Sequence, residues 1–562
     1  MSDRFKRWSR IKLFTAPARP LGVLRHILKR RQLAYLGGAF LAAIVCGVTA
    51  TEFASSSEPV QARPSHGKVV AKPSSQAESF IATTAASMLA LGEQSNGGLR
   101  FQSQIQSPNY QTDRDVGAAS VGMGFLAMAK LYPNDARWTD AAKKTATWLM
   151  SVSGPKADGT GPRFWLDDVT KDGGISEDAY TSFDDGTIGI GDFFWQLYDQ
   201  THDATYKQVA LQTLDWTFSQ AENVGGTTPM YRWKWDVNGD ATYYMGMGEG
   251  ASGIINTLTS YYSRLKTSDP AQAAKCKQYA VGALNYLKQN RNDLGKTLGD
   301  SRYSRAVSEI DVHSNQDGNT NMNSGYLSGA AGTAYMYLNA YQVFGDATYL
   351  NEANSLYSWL GDSTVGPYVN FGDGSAAWKL AIDPQGDNTN LYATGFEEGN
   401  AGIGWSYLQA YNVTKQKAYL QKAEEAANWL LKVGKSDGHG GLSWHEDENP
   451  ANPLVHANLN NGAAGIGAFF QDLYVASGES KYRTGAVSAL SWLTSSAKHK
   501  GSSIYWNDDG GYIDGNSGPS DAYSNDPSWH WGDAGILAAA LRINGSNFDI
   551  PGEQPGLTAS SQ

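Results

Sequence analysis

A short glycine motif recurs through most of this chain and constrains its fold more than any other feature. The motif is Gly-x-x-Gly, usually followed by an apolar residue, and six copies begin at Gly186, Gly250, Gly329, Gly399, Gly462 and Gly532. A weaker first copy reads Ala119-Ser-Val-Gly122-Met123. The last glycines of successive copies lie 63–79 residues apart. A period of this length predicts an array of similar structural units.

Each copy of the motif except the last is followed, 26–33 residues after its last glycine, by an aromatic residue: Trp148, Trp216, Tyr286, Trp359, Trp429 and Trp492. The segment that leads to Trp429 carries apolar residues at helical spacing with charges between them, which predicts an amphipathic helix. The segments that start at the glycine motifs, such as Ala463 to Tyr474, are apolar on nearly every side and predict buried helices. Each unit is therefore expected to contain an inner helix followed by an outer one.

The two ends of the array predict how it closes. Residues 79–92 are expected to form one extra helix before the first unit, and the last unit, from Gly532, supplies only an inner helix. If these two helices pair, seven inner and seven outer helices close into a ring. We therefore predict an all-α fold, an (α/α)7 toroid with short β-hairpin loops, as a single catalytic domain over residues 79–545. An open helical solenoid is the alternative, but solenoids usually have shorter units and polar capping repeats.

The amino-terminal region differs from the rest in charge. The first 31 residues hold ten Lys or Arg and one acid, a net charge of +9 in a chain of −10, which leaves −19 for the remainder. The 18 residues from Leu33 to Ala50 carry no charge and are just long enough to span a bilayer. We predict a basic cytoplasmic segment (1–32), a transmembrane signal-anchor helix (33–51), a flexible linker (52–78) and a disordered tail (546–562).

Basic residues on the amino side of an apolar run place that side in the cytoplasm, so the toroid is expected outside it, periplasmic or extracellular. A cleaved signal peptide is the alternative to an anchor, and Arg30-Arg31 loosely resembles a twin-arginine signal. The chain has only two cysteines, Cys46 and Cys276, which excludes a disulfide scaffold. The acidic balance of the domain, without a basic stripe, argues against nucleic acid as a partner.

Candidate catalytic residues stand just before the glycine motifs, because the amino ends of the inner helices open on one face of a toroid. Acids occupy these positions in three units: Asp184, Asp185, Glu249, Glu397 and Glu398. Asp115 lies a little upstream of the first motif. Asp is a favoured N-cap, so Asp184 or Asp185 could be structural; Glu is a poor N-cap. Carboxylates around one opening shift each other's pKa values, which suits either acid–base catalysis or a cation site.

Aromatic residues with polar neighbours stand in the loops after the outer helices. We interpret Trp165, Trp233, Trp235 and Trp444 as exposed platforms on which sugar rings could stack. The alternative is that about half of the loop aromatics pack the hairpins against the toroid. Further substrate contacts are expected at the remaining motif ends, from Asn460, Asn461, His530, Trp531 and Asp533.

The repeated glycine helices from about residue 80 to 545 resemble the lanthionine synthetase C-like family, whose fold is an (α/α)7 toroid. Residues 529–535, Trp-His-Trp-Gly-Asp-Ala-Gly, look like that family's Trp-Cys-Tyr-Gly-x-Pro-Gly segment. Asn460-Asn461-Gly462 stands where a Cys-His-Gly is expected. The family's cyclases bind zinc through two Cys and one His, and here His530 replaces one Cys while the Cys-His pair is Asn-Asn. The resemblance thus implies the fold without zinc-dependent thioether formation.

The acids resemble a second pattern, that of glycoside hydrolases on related α/α toroids, in architecture only. We predict an extracytoplasmic glycosidase that cleaves a polysaccharide or oligosaccharide by carboxylate acid–base catalysis, without a cofactor or metal. The alternatives are a polysaccharide lyase, a zinc-free module that binds a glycan or peptide without chemistry, and a metal-dependent enzyme using His530 and Asp533.

Overall fold

The computed structural model describes residues 75–102, 109–154, 161–170, 174, 177–314, 321–384, 391–448, 454–501, 503–506 and 526–545. These residues are mostly helical, with 14 α-helices and little sheet. The predicted cytoplasmic segment (1–32), membrane helix (33–51), nearly all of the linker (52–78) and the tail (546–562) lie outside them. None of the described helices combines the length and apolar character that a membrane crossing requires.

The helices fall into two sets. Seven begin directly after a glycine in extended conformation and are buried along most of their length: α2 (Ala118–Leu131), α4 (Thr187–Thr201), α6 (Ala251–Leu265), α8 (Ala330–Phe344), α10 (Asn400–Thr414), α12 (Ala463–Ser477) and α14 (Asp533–Ile543). Seven others are buried on one side only: α1 (Ser75–Ala90), α3 (Ala136–Val152), α5 (Ala204–Ser219), α7 (Pro270–Thr297), α9 (Ala347–Leu360), α11 (Lys417–Val433) and α13 (Ser480–Ser496). The sequence pattern therefore predicts both sets correctly.

The packing of the inner helices closes on itself. Each inner helix packs against its own outer helix and against the inner helix of the next unit, and α14 packs against both α12 and α2. The extra helix α1 packs on α14, and its Phe80 ring meets the Trp506 ring edge-on at 6.0 Å. This order of contacts is that of an α/α toroid in which α1 is the outer partner of the last inner helix.

The second glycine of the motif is required by a close backbone approach. A Cβ added to Gly189 would lie 1.7 Å from the carbonyl oxygen of Phe183, and one on Gly465 would lie 2.0 Å from that of Leu459. In these units the chain before the helix folds back over the first helical turn, so only glycine fits.

The first unit has a different register from the one predicted. Its helix α2 is capped by Gly117, so Ser120, not Gly122, takes the place of the second glycine. The Ser120 hydroxyl donates to Gly117 O at 2.7 Å and accepts from Trp529 N at 3.2 Å. The alignment through Ala119 and Gly122 is therefore wrong by two residues, because a serine that bonds its own loop replaces the glycine.

Short strands connect the helices. The described strands form two-stranded antiparallel sheets that pair β1 with β2 (Glu93–Ser95, Gly98–Arg100), β3 with β4 (Asn109–Gln111, Asp168–Thr170), β5 with β6 (Glu222–Asn223, Tyr231–Arg232), β7 with β10 (Met322–Asn323, Ala381–Ile382), β8 with β9 (Tyr368–Asn370, Ala376–Trp378), β11 with β12 (Lys435–Ser436, Leu442–Ser443) and β13 with β14 (Lys498–Lys500, Ser503–Tyr505). A 3-10 helix spans Ser301–Arg305. Two of the sheets, β3–β4 and β7–β10, join consecutive units.

Candidate active site

A five-residue loop precedes every inner helix and ends at its capping glycine. We call these segments the ring loops: residues 113–117, 182–186, 246–250, 325–329, 395–399, 458–462 and 528–532. Position 5 is always glycine. The side chains differ from unit to unit at positions 3 and 4, which are Asp115-Val116, Asp184-Asp185, Gly248-Glu249, Leu327-Ser328, Glu397-Glu398, Asn460-Asn461 and His530-Trp531.

Backbone hydrogen bonds link the seven ring loops into a closed circle. In each link, the N–H at position 3 donates to the carbonyl oxygen at position 3 of the next unit, for example Asp184 N to Gly248 O at 3.1 Å and Gly248 N to Leu327 O at 3.0 Å. The circle closes where Asn460 N donates to His530 O at 3.2 Å and His530 N to Asp115 O at 3.3 Å. The position 3 residues of all seven units therefore surround a common centre.

Position 2 of the ring loops faces the protein interior and is apolar in six units: Phe183, Met247, Tyr326, Phe396, Leu459 and Trp529. The first unit has Arg114 instead, which is 3% exposed. Its guanidinium carbon lies 4.4 Å from the centre of the Phe183 ring, and its Nε lies 3.4 Å from Oδ2 of the buried Asp192. The Arg114 guanidinium is thus buried beneath the ring loops and paired there with the Asp192 carboxylate.

The predicted acids come together at positions 3 and 4. Asp184, Asp185 and Glu397 are 2–4% exposed, whereas Glu249 and Glu398 keep part of their surface exposed. Of the five, Glu249 and Glu398 are therefore the more exposed residues, although Oε2 of Glu398 is itself buried.

Two glycines that the sequence analysis did not single out make room for these acids. Oδ2 of Asp184 lies 2.4 Å from the place that a Cβ on Gly248 would take, and Oε2 of Glu398 lies 2.1 Å from the corresponding place on Gly325. Oε1 of Glu398 accepts the N–H of Ser328 at 3.0 Å, across the boundary between units. Each acid thus lies against the neighbouring ring loop.

His530 interacts with acids from several other ring loops. Its side chain is fully buried, and Nδ1 lies 2.5 Å from Oδ1 of Asp115, which is 13% exposed. Burial opposes the charged imidazole, but the carboxylates of Asp115, Asp184 and Glu397 outweigh it and raise the pKa of His530. Asp184 belongs to the unit two places ahead of His530, and Glu397 to the unit two places behind. The imidazole is therefore within electrostatic reach of acids on both sides of its own unit.

Asp115 belongs to the ring loops, although it lies upstream of the motif predicted for the first unit. With Gly117 as the cap, Asp115 takes position 3 of the first ring loop, the equivalent of Asp184. The spacing from an acid to a glycine two residues later is the signal that the sequence analysis could have used. Asp113, at position 1, is structural, because its Oδ1 accepts the N–H groups of residues 115, 116 and 117 at 2.7–2.9 Å.

Asp533 and Trp531 border a narrow cavity between the last two units, which Asn458, Trp506 and Asp526 also line. Asp533 lies in the first turn of α14. Burial, and then the neighbouring Asp526, raise the pKa of Asp533 well above its usual range, against the opposing effect of a hydrogen bond with Ser87. These surroundings, where helix α1 meets the last unit, favour the neutral form of Asp533. Trp531 is partly exposed and is the aromatic residue of the ring positions.

Three of the four predicted aromatic platforms are not exposed. Trp165, Trp233 and Trp444 are 2%, 4% and 0% exposed, and each donates its indole N–H to a carbonyl oxygen near the end of the preceding outer helix. Each indole thereby adds a hydrogen bond at the end of the outer helix and packs its hairpin onto the core. The carbonyl oxygens of Thr217 and Leu430 also accept backbone N–H groups, at 3.3 Å and 3.0 Å. The prediction that the three stack on sugars is therefore wrong for this structure. Trp235 is partly exposed, and its ring stacks on Tyr180 with centroids 4.4 Å apart.

The zinc site of the resembling family does not fit the residues present. The structure brings the three implied positions, 460, 461 and 530, onto adjacent ring loops. Two of them are carboxamides instead of a thiolate and an imidazole, and Nδ1 of His530 is engaged by Asp115. Among the described residues, no three His, Cys, Asp or Glu side chains form a group able to hold a metal ion.

Comparisons with individual known proteins find distant likenesses among solved structures only. No curated protein matches the sequence. Among solved structures, nisin cyclase is 12% identical with a TM-score of 0.48, over 83% of this chain and 96% of that one. Cellobiose 2-epimerase from Bacillus thermoamylovorans is 11% identical with a TM-score of 0.45, over 83% and 99%. A family 76 α-mannanase from Bacteroides thetaiotaomicron is 12% identical with a TM-score of 0.42, over 83% and 94%.

The family model described as lanthionine synthetase C-like protein matches residues 178–457. The match contains the ring loops of units two to five and ends before those that hold Asn460 and His530. Over residues 178–457 the chain is therefore similar to the lanthionine synthetase C-like proteins, which confirms the resemblance inferred from its glycine motifs.

Proposed function

We propose that the ring loops form the active site of a glycoside hydrolase that acts on a polysaccharide or oligosaccharide. The observation that carries this proposal is the closed circle of backbone hydrogen bonds, which gathers Asp115, Asp184, Glu397 and His530 around one centre, with Nδ1 of His530 against Oδ1 of Asp115. Against the effect of burial, these carboxylates raise the pKa of His530. Groups that shift one another's pKa values within one site can hold a proton donor and a proton acceptor at the same pH. The partly exposed Trp531 adds an aromatic face of the kind that stacks on a sugar ring.

The reaction needs two groups that reach the substrate. The general acid gives its proton to the glycosidic oxygen as the bond from that oxygen to the sugar carbon breaks, and the general base takes a proton from the attacking water. The five predicted acids supply these roles. We assign the direct contacts to Glu249 and Glu398, since they retain exposed surface, and an electrostatic supporting role to the buried Asp184, Asp185 and Glu397.

The test is release of reducing ends from a panel of polysaccharides by the purified full-length protein. We expect wild type to release product, and Glu249→Gln or Glu398→Gln to lower kcat/KM by about 10²–10⁴-fold with the fold retained. Asp240→Asn, an exposed acid on a hairpin, is the matched control and should keep full activity. Binding without product would contradict hydrolysis and favour a binding module, and ultraviolet-absorbing unsaturated products would indicate a lyase.

We also propose that the domain works outside the cytoplasm and is anchored by residues 33–51. The net charge of +9 before the uncharged run supports this orientation. A reporter enzyme that is active only outside the cytoplasm, fused after Gln562, should be active. An inactive reporter beside an active positive control would contradict the proposed location.

A further inference from the structure

The variable positions of the ring loops are strongly acidic. Positions 3 and 4 of the seven ring loops hold six carboxylates and no Lys or Arg: Asp115, Asp184, Asp185, Glu249, Glu397 and Glu398. Arg114, at position 2, does not offset them at the surface, because it is buried beneath the loops with Asp192 as its partner. The imidazole of His530 is the one basic group among these fourteen residues.

A second observation shows that the ring is built to receive hydrogen-bond acceptors. Within the part of the chain that the structure describes, Nε2 of His530 and Nδ2 of Asn460 are buried without a hydrogen-bond partner. The two residues are 0% and 2% exposed and stand at position 3 of adjacent ring loops. Buried polar groups are rarely left unsatisfied in native proteins, so both indicate a ligand. The imidazole also lies within electrostatic reach of Asp184 and Glu397, two units away on either side.

Charge decides which saccharides this arrangement accepts. A uronic acid or a sulfated sugar would bring another negative charge into a ring of carboxylates, and like charges at short distance oppose binding. An ammonium group finds oppositely charged acceptors there, and the hydroxyl oxygens of the same sugar accept from His530 and Asn460. An acetylated amine offers a neutral amide instead and gains none of the charge attraction.

We propose that the saccharide bound at the ring loops carries free amino groups, as a polymer of de-N-acetylated hexosamine does. This inference rests on the proposed action on a saccharide and adds the chemical class of that saccharide. In this proposal the partly exposed Glu249 and Glu398 pair with the ammonium groups. The buried acids add to the negative electrostatic potential of the ring.

Calorimetric binding to the full-length protein at pH 6 tests the proposal. The probes are the hexamers of glucosamine, N-acetylglucosamine and galacturonic acid, and a lysine hexapeptide. A peptide α-amino group, whose pKa is about 7.7–8.0, is charged at this pH, and we expect the glucosamine amines to be charged as well. We expect the glucosamine hexamer to bind at least about tenfold more tightly than the other three, and its affinity to fall with added salt. Equal binding of the acetylated or acidic hexamer would overturn the amine preference. Equal binding of the lysine hexapeptide would overturn the saccharide class.

Variants separate the ring acids from general surface charge. Glu249→Gln and Glu398→Gln should each weaken glucosamine-hexamer binding by roughly two- to fivefold, as expected for partly exposed ion pairs. Asp240→Asn removes one acid elsewhere and should leave the affinity unchanged. If all three variants weaken binding equally, the ring does not select the amine.

Product release is measured separately with the same hexamers, so failure of this inference differs from failure of the proposed function. Selective binding of the glucosamine hexamer without cleavage would keep the amine preference and remove the hydrolase proposal. Cleavage of the acetylated hexamer with no preference for the amine would keep the hydrolase and overturn the inference.

Discussion

The hairpin tryptophans and the ring loops both recur from unit to unit. The tryptophans repeat a side-chain contact, whereas the ring loops repeat a backbone hydrogen bond. In five units the same side chain makes the same contact: Trp165, Trp233, Trp378, Trp444 and Trp506 each donate the indole N–H to an outer-helix carbonyl at 2.7–2.8 Å. Each accepting carbonyl belongs to the residue that follows the aromatic of the outer helix. Here the side chain is part of the scaffold.

The seven ring loops share a backbone hydrogen-bond pattern but not their side chains. Their seven position 3 residues share one pattern of hydrogen bonds, yet they carry Asp, Asp, Gly, Leu, Glu, Asn and His. Since the backbone bonds close the circle, the side chains are free to differ without opening it. Within one chain, therefore, a repeated side chain marks structure, and varied side chains on a repeated backbone mark the place where function can be built.

The largest effect on stability should come from the hairpins. Trp444 is fully buried and holds the carbonyl of Leu430. We expect Trp444→Ala to lower the free energy of unfolding by about 3–5 kcal/mol, because it leaves a cavity and removes a buried hydrogen bond. Chemical denaturation followed by circular dichroism measures this, with the partly exposed Trp235→Ala as the matched control. A loss as small as that of the control would break the distinction between scaffold and site.

In the ring, His530→Gln should have the next largest effect, and this effect should depend on pH. A folded-state pKa above the unfolded value gives stability that is present below the unfolded pKa and is lost as pH rises through the folded pKa. At pH 6 we expect the variant to be about 1.5–3 kcal/mol less stable than wild type, since it loses a buried bond to a charged group. The difference should shrink toward alkaline pH. A constant difference from pH 5 to 9 would show that the imidazole is not charged in the fold.

Trp444→Phe sharpens the comparison by keeping an aromatic ring and removing the indole N–H. We expect it to cost about 1–2 kcal/mol, the value of a buried hydrogen bond with a small loss of packing. Urea titrations of both Trp444 variants give the two numbers on one scale. A phenylalanine variant as unstable as the alanine variant would mean that the hydrogen bond, not the packing, dominates.

The smallest effect on stability is expected at position 4 of the ring. Glu249 is partly exposed, and the circle is made by backbone groups at position 3, so Glu249→Gln should change the free energy of unfolding by less than about 0.5 kcal/mol. The same variant should change binding and turnover. A loss of stability as large as that of Trp444→Phe would place Glu249 with the scaffold.

Much of the fold could be predicted from the sequence, because glycine spacing and helical periodicity are local signals. The inner and outer helices and the pairing of α1 with α14 follow from them. The register of the first unit could not, since Ser120 replaces the glycine and no local pattern reveals that a hydroxyl bonds its own loop. The hairpin tryptophans were misjudged for a related reason: their partners are carbonyls 13–18 residues earlier. Polar neighbours in the sequence do not reveal such a contact.

The candidate site was predicted in part. The acids before the motifs do meet around one centre, because a closed toroid brings equivalent positions together. The pairing of His530 with Asp115 joins residues 415 positions apart. It depends on the closure of the ring, which no local pattern reports.

The coupling of His530 to carboxylates from three other units can be measured directly by an NMR titration of its imidazole, assigned with the His530→Gln variant. The account predicts a pKa above the ordinary value of about 6.5 in the wild type, and a lower pKa in each of Asp115→Asn, Asp184→Asn and Glu397→Gln. A pKa at or below 6.5, or one that does not respond to Asp184→Asn and Glu397→Gln, would contradict a single site at the centre of the ring.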